Sequence, residues 1–201
     1  MKSEQVRKNV IGNAIKSLQS GNVIVYPTDT LYALGADIFN DDAVKKVFAL
    51  KKRPSSNPLP VAVTNFEEMS AIAYTNEMVE KITTRFLPGP LTLILYKKES
   101  VSSLVTGGLD KIAIRIPNNA LALDLLSNFG PLTVTSANVH GEKTPYIINE
   151  IMMQFTNEIP VYINDGKLQG KPSTIIDVTS EIPTMVRSGS LPLKDILDAI
   201  V

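Results

Sequence analysis

Apolar positions along the chain recur with two periods. After Asp41-Asp42, the residues Val44, Val47, Phe48 and Lys51 stand at i, i+3, i+4 and i+7, the spacing of one helical face. Similar spacing predicts helices over roughly 4–20, 41–51, 66–73, 76–87, 119–128, 147–155 and 192–200. Gly21 suits the position just past the first helix, the two aspartates suit the start of the second, and Pro192 suits the first turn of the last. Short alternating or continuous apolar runs predict strands at Val23 to Tyr26, Leu59 to Val63, Leu91 to Tyr96, Ile112 to Ile116, Leu132 to Ser136, Val161 to Ile163, Ser173 to Val178 and Thr184 to Arg187. Interleaved strands and helices predict an α/β fold, a twisted mixed sheet with helices on its faces. The last three strands follow one another with only loops between them, so that part is antiparallel or mixed.

There is no repeat, no low-complexity tract and no linker rich in Pro, Gly or Ser, so a single domain over 1–201 is expected. The longest apolar stretch, Phe86 to Tyr96, is interrupted by Pro88-Gly89-Pro90 and is shorter than the ~20 residues a spanning helix needs. The first residues are polar and mixed in charge, unlike a signal peptide, and the expected location is the cytoplasm. Lys+Arg and Asp+Glu are both 20, so the net charge is zero and any anion site must be local. With no Cys and one His, the chain has no disulfide, no Cys-ligated metal, no Cys nucleophile and no site of two histidines.

Candidate chemistry is concentrated in a few places. Ala43 to Phe66 carries Lys45, Lys46, Lys51, Lys52 and Arg53 and no acid, a local charge of +5. Lys51 falls on the inward stripe of its helix. Lys51 and Arg53 either stabilise the helix C-terminus through its dipole or clamp an anion, since phosphate suits a lysine point charge and an arginine fork. In Ile112 to Ile116 the isoleucines share one face, which puts Arg115 on the other with Ala113. A mid-strand guanidinium needs either an Asp or Glu partner or an anionic ligand. Thr133 to Asn138 is an apolar strand ending in small polar residues, with Ser136 and Asn138 on one side. Tyr26-Pro27-Thr28-Asp29-Thr30 is either a Pro-initiated turn or a cluster of hydroxyls and one carboxylate at a strand end. Gly166 to Lys171 is one residue short of a phosphate loop, and Pro172 stands where the helix should begin, so that reading is rejected, as is a dinucleotide fold. His140 lies in a polar loop without a metal partner.

Together these segments resemble the YrdC-domain family, the threonylcarbamoyl-AMP synthases. Tyr26-Pro27-Thr28-Asp29-Thr30-Leu31-Tyr32-Ala33-Leu34-Gly35 and Lys51-Lys52-Arg53-Pro54-Ser55-Ser56-Asn57-Pro58-Leu59 look like its two longest signatures. Pro88 to Thr92, Ile114 to Pro117, Ser136-Ala137-Asn138, Ser173 to Asp177 and Val186 to Gly189 follow in the family's order. The resemblance implies a YrdC-like fold with a large basic cavity. It also implies a nucleotidyltransferase that joins L-threonine, bicarbonate and ATP into threonylcarbamoyl-AMP, with loss of pyrophosphate. ATP would be a substrate accompanied by Mg²⁺, with no tightly bound cofactor and no dedicated metal residue. The product would serve threonylcarbamoyl-transferase proteins that act on tRNA, with direct contact to tRNA or other RNA left open. By position, Lys51, Arg53, Ser136 and Asn138 match the active-site quartet. Arg53, Asn57, Ser136, Thr144 and Arg187 match ATP-binding positions, and Thr30, Arg115 and Ser173 match threonine-binding positions. Two residues depart from the pattern: Ala62 stands where a His is frequent, which removes a threonine-side contact, and Thr135 stands where a Pro is common. The competing readings are an RNA-binding module and a non-synthase paralogue. The first is opposed by zero net charge and by the lack of aromatics beside the basic run.

Overall fold

A computed structural model of the chain describes residues 2–156, 158–168 and 170–199. The elements run α1 (Lys2–Gln19), β1 (Ile24–Tyr26), β2 (Ala33–Gly35), α2 (Asp41–Lys51), β3 (Val61–Ala62), α3 (Phe66–Ile72), α4 (Glu77–Phe86), β4 (Leu91–Tyr96) and β5 (Lys111–Arg115). They continue through α5 (Ala120–Phe129), β6 (Leu132–Thr133), β7 (Thr135–Ser136), α6 (Ile148–Phe155), β8 (Val161–Tyr162), β9 (Thr174–Asp177), β10 (Thr184–Arg187) and α7 (Leu193–Leu197). The periodic segments became helices within a residue or two of their expected bounds, apart from the last. There α7 stops at Leu197, and residue 200 lies outside the described residues. Asparagine side chains cap α2, α3, α4 and α5, from Asn40, Asn65, Asn76 and Asn119. The Asn40 side chain accepts from the Asp42 and Ala43 amides, so it caps α2 in place of the aspartates that follow it.

Two mixed sheets form, ordered β7-β2-β1-β8 and β10-β9-β4-β5-β3-β6. In the larger, β4 runs parallel to β9 and antiparallel to β5, and β10 pairs antiparallel with β9. The late strands do not form one unit, because β8 joins the smaller sheet, parallel to β1. The expected strand 132–136 also divides. Leu132-Thr133 pairs with β3 and Thr135-Ser136 with β2, so the chain passes from one sheet to the other at Val134. The Thr133 hydroxyl fixes the crossing by donating to the Leu34 carbonyl and accepting from the Ala36 amide. Strand β2 was not expected from the sequence. It is only three residues long and follows closely on the turn at Tyr26 to Thr30.

Apolar side chains divide between two cores. α1 and α5 cover one face of the smaller sheet through Ile11, Ala14, Leu18, Leu125 and Leu126, packed on Ile24 and Tyr26. The other core joins α2, α3, α4 and α6 to the inward face of the larger sheet, where Leu91, Leu93, Leu95, Ile112 and Ile114 are buried. Each such aliphatic side chain stabilises the fold by about 1.5–3 kcal/mol relative to exposure. The alternate residues of these strands, Thr92, Ile94, Ala113 and Arg115, face a cavity instead.

Candidate active site

The cavity has a volume of about 450 Å³, and strands of both sheets contribute to its wall. Arg53, Arg115 and Arg187 all line it, and among the described residues none of those lining it is acidic. Burial lowers the pKa of all three guanidinium groups, and for Arg187 the charge of Arg115 acts in the same direction. The wall is therefore a place where positive charge is held close together and partly out of water.

Each arginine is aimed by backbone oxygen or by a single carboxylate. Helix α2 ends with Lys52 in the left-handed region (φ 50°), and the Arg53 amide donates back to the Phe48 carbonyl. This reversal turns Arg53 out of the helix. Its Nε and Nη2 then donate to the Asn57 and Pro58 carbonyls at 3.3 and 3.1 Å, leaving Nη1 for the cavity. The Asn57–Leu59 segment is backed by Gly107 (φ +61°), where a Cβ would sit 2.5 Å from the Ser56 carbonyl oxygen. Arg187 donates from Nε and Nη2 to the Ser173 carbonyl and from Nη2 to Ser173 Oγ at 3.0 Å. Ser173 Oγ also shares a hydrogen bond with Thr92 Oγ1 at 2.8 Å.

Arg115 is 5% exposed, and it has the carboxylate partner that was one of its two open readings. Its Nη2 lies 2.6 Å from Asp29 Oδ1, and its Nη1 donates to Thr30 Oγ1 at 2.9 Å. The strand parity that set Arg115 opposite the isoleucines holds, because Ala113 and Arg115 line the cavity while Ile112, Ile114 and Ile116 are in the core. Thr28 Oγ1 organises the preceding turn by donating to the Leu31 carbonyl and accepting from the Thr30 and Leu31 amides.

The Ser136–Asn138 segment closes another part of the wall. Ser136 Oγ donates to Asn138 Oδ1 at 2.6 Å, and Asn138 Nδ2 donates to the Val139 and Glu142 carbonyls. Lys51 lies behind this segment, 2% exposed, as its inward stripe predicts. Its Nζ does not face the cavity. It donates to the Ser136 carbonyl at 2.6 Å, the Asn138 carbonyl at 2.7 Å and Asn138 Oδ1 at 3.3 Å.

Of the ten site residues expected from the sequence, Thr30, Arg53, Arg115, Ser136, Thr144, Ser173 and Arg187 line the cavity, whereas Lys51, Asn57 and Asn138 support it from behind. Ala62 is fully buried against the α1–α5 core, and Pro60 is the β3-side residue on the wall. Ala62 is in register with Arg115 on β5, so it shares the cavity-side face of the sheet, and its methyl group is too short to reach the wall where a larger polar side chain would stand. Thr135 lies on the wall. The sequence gives Thr92 and Gly170 no role and offers Asp29 only as one carboxylate in a strand-end cluster. Alternation along 91–95 places Thr92 beside Arg115, and the strand-end carboxylate was the signal for Asp29. A Cβ at Gly170 would overlap the Thr30 backbone, and the Gly170 amide donates to the Thr30 carbonyl. That close approach has no short-range pattern. Among the described residues, no group of three or more His, Asp or Glu side chains converges to hold a metal, and no helix is long and apolar enough to cross a membrane.

The Sua5/YciO/YrdC family model, whose description reads "Telomere recombination", matches residues 16–189. The chain belongs to this family. It is 37% identical over 196 residues to the threonylcarbamoyl-AMP synthase of Pyrococcus abyssi, covering 96% of this chain and 58% of that protein. It is 36% identical to a putative threonylcarbamoyl-AMP synthase of Methanocaldococcus jannaschii, covering 96% and 91% of the two chains. The crystal structure of P. abyssi Sua5 complexed with L-threonine superposes with a TM-score of 0.91 at 37% identity, over 94% of this chain and 57% of that one. Escherichia coli YciO superposes with a TM-score of 0.86 at 28% identity, over 96% and 93%. The chain thus spans little more than half of the Pyrococcus protein and nearly the whole of the shorter family members.

Proposed function

We propose that this member of the family is an L-threonylcarbamoyladenylate synthase, a nucleotidyltransferase that uses L-threonine, bicarbonate and ATP and releases pyrophosphate and water. The observation that carries the reading is the convergence of Arg53, Arg115 and Arg187 on one cavity whose described lining has no acid. Such a wall suits a reaction between reactants that are both anionic. The threonine complex of the P. abyssi relative supports an amino acid as one of them.

In this reading the threonine amine takes up CO₂ from bicarbonate to form a carbamate. A carbamate oxygen attacks the α-phosphorus of ATP, the bond to the β-phosphate oxygen breaks, and pyrophosphate leaves. Arg115, Thr30 and Ser173 hold the amino acid. Arg53, Ser136, Thr144 and Arg187 face the nucleotide, with Asn57 acting through its carbonyl on Arg53. The hydrogen bond from Arg187 to Ser173 joins the two sets where the carbamate and the α-phosphate must approach. Fixed cations there offset the repulsion and the charge that grows on the leaving group, so positioning and electrostatics carry the catalysis and no covalent nucleophile is required. Mg²⁺ enters as part of the ATP substrate. The adenylate would pass to transferase proteins acting on tRNA.

The test is pyrophosphate release from ATP by the purified protein. Release that requires both L-threonine and bicarbonate is expected. ATP binding without threonine-dependent release would instead favour a non-synthase member of the fold.

A further inference from the structure

Lys51 belongs to the segment that matches the family's active site, yet its side chain has no donor left for a ligand. An ammonium carries three N–H donors. Those of Lys51 meet two backbone carbonyls and one amide oxygen, all from residues 136 and 138 and all neutral. The tie is reciprocal, because the Lys51 carbonyl accepts from the His140 amide at 2.7 Å. The helix end and the loop are thus joined on both sides of one residue. Asn138 Oδ1, which accepts from Lys51, also accepts from Ser136 Oγ at 2.6 Å, and Ser136 is the member of this set that reaches the cavity.

We propose that Lys51 is a positioning residue: its ammonium clamps the Ser136–Asn138 segment to the end of α2 and thereby sets Ser136 Oγ and the adjoining wall, without touching the anion itself. The consequence for catalysis rests on the synthase reading, whereas the clamp does not. Three acceptors converging on one Nζ are a poor arrangement for a phosphate ligand, which would have to displace at least one of them. They suit a group that ties together a loop with little regular secondary structure. The ionisable groups on the two segments that meet at Lys51 are Lys52 and Arg53 at the helix end and His140, Glu142 and Lys143 in the loop, and of these Arg53 is the one whose charge acts on the ammonium. Burial pushes the ammonium down to about 7, with Arg53 adding to the effect, which fits a cation held by dipoles and not by a carboxylate.

The test compares wild type with Lys51→Met and Lys51→Gln by backbone deuterium exchange of the ligand-free protein and by calorimetric binding of ATP and of L-threonine. Lys51→Met should speed exchange at Val139, His140 and Glu142 at least ~10-fold, the loss expected when a buried hydrogen-bonding group goes. It should weaken ATP by a similar factor and leave L-threonine within about twofold. Lys51→Gln keeps two N–H donors and should fall between, and it carries the test if the methionine variant does not fold. Weakened ATP binding with loop exchange unchanged would mean that Lys51 contacts the nucleotide, and the proposal would be wrong. Equal loss of ATP and threonine binding would also overturn it, since the effect would then not be local to the loop. If wild type binds no ATP, the synthase reading fails, and loop exchange alone still decides the clamp.

Discussion

Two buried cations stand at the cavity, Arg115 in its wall and Lys51 behind it, and they are held in opposite ways. Arg115 sits mid-strand, and a carboxylate, Asp29, lies 2.6 Å from it. Lys51 sits at a helix end with only neutral oxygens around its Nζ. Arg115 therefore has a counter-charge behind the wall, while the Lys51–Arg53 end has none. An incoming anion meets a partly neutralised guanidinium at the first and uncompensated positive charge at the second. A singly charged carboxylate suits the Arg115 end, and a polyphosphate suits the end where Arg53 keeps a free edge. The proposed placement of amino acid and nucleotide in the two regions draws on this asymmetry as much as on any motif.

The largest effect that would test the comparison is removal of the counter-charge. Asp29→Ala leaves Arg115 buried without its carboxylate and also orphans the Asn118 amide, which donates to the same oxygen. Loss of one partner of a buried pair costs about 3–5 kcal/mol, and chemical denaturation should show a drop of that order. Asp29→Asn keeps an acceptor in place and should lose less. A loss below ~1 kcal/mol in the alanine variant, the range of exposed pairs, would show that Asp29 does not neutralise Arg115, and the contrast between the two ends would disappear.

The second test probes what Arg115 presents. Lysine keeps the charge and loses the planar fork that bonds Thr30 and Asp29 together. Arg115→Lys should raise the threonine requirement of pyrophosphate release roughly tenfold, one charge-assisted hydrogen bond, with ATP affinity nearly unchanged. Collapse of ATP binding with threonine unaffected would exchange the two ends of the cavity.

The sequence was more informative about faces than about junctions. Parity along 112–116 and the stripe through 44–51 identified which side of each element was apolar, because those patterns are local. They could not say that the 132–136 run divides between two sheets, since Thr133 does this through hydrogen bonds to Leu34 and Ala36, nearly a hundred positions away. Nor could they separate a lysine that meets a ligand from one that meets carbonyls 85 and 87 residues later in the chain. Both put Lys51 on the inward face. The resemblance to the family brought ten residues to one region but not their depth: Lys51, Asn57 and Asn138 fell behind the wall. Depth depends on how the two sheets meet, and no short segment records it.

The smallest expected effect concerns pH and falls on the uncompensated end alone. Burial lowers the Lys51 pKa to about 7, with Arg53 pushing the same way, so its charge is titrated in the neutral range. An anion bound nearby favours the protonated form, which means that nucleotide binding takes up a proton there and weakens as pH rises through about 7. The ATP phosphates titrate in the same range and act in the opposite sense, so the informative quantity is the difference between wild type and Lys51→Gln. Between about pH 6 and pH 8.5 wild type should lose roughly threefold to tenfold more ATP affinity than the glutamine variant, less than one pKa unit's worth of coupling energy. His140 also lies in the clamped loop, and His140→Asn should leave that difference in place. Threonine affinity should show no such slope, because Arg115 stays charged throughout. Equal slopes for ATP in wild type and the glutamine variant would mean that Lys51 keeps one charge state across this range. The two ends of the cavity would then differ in counter-charge but not in their response to pH.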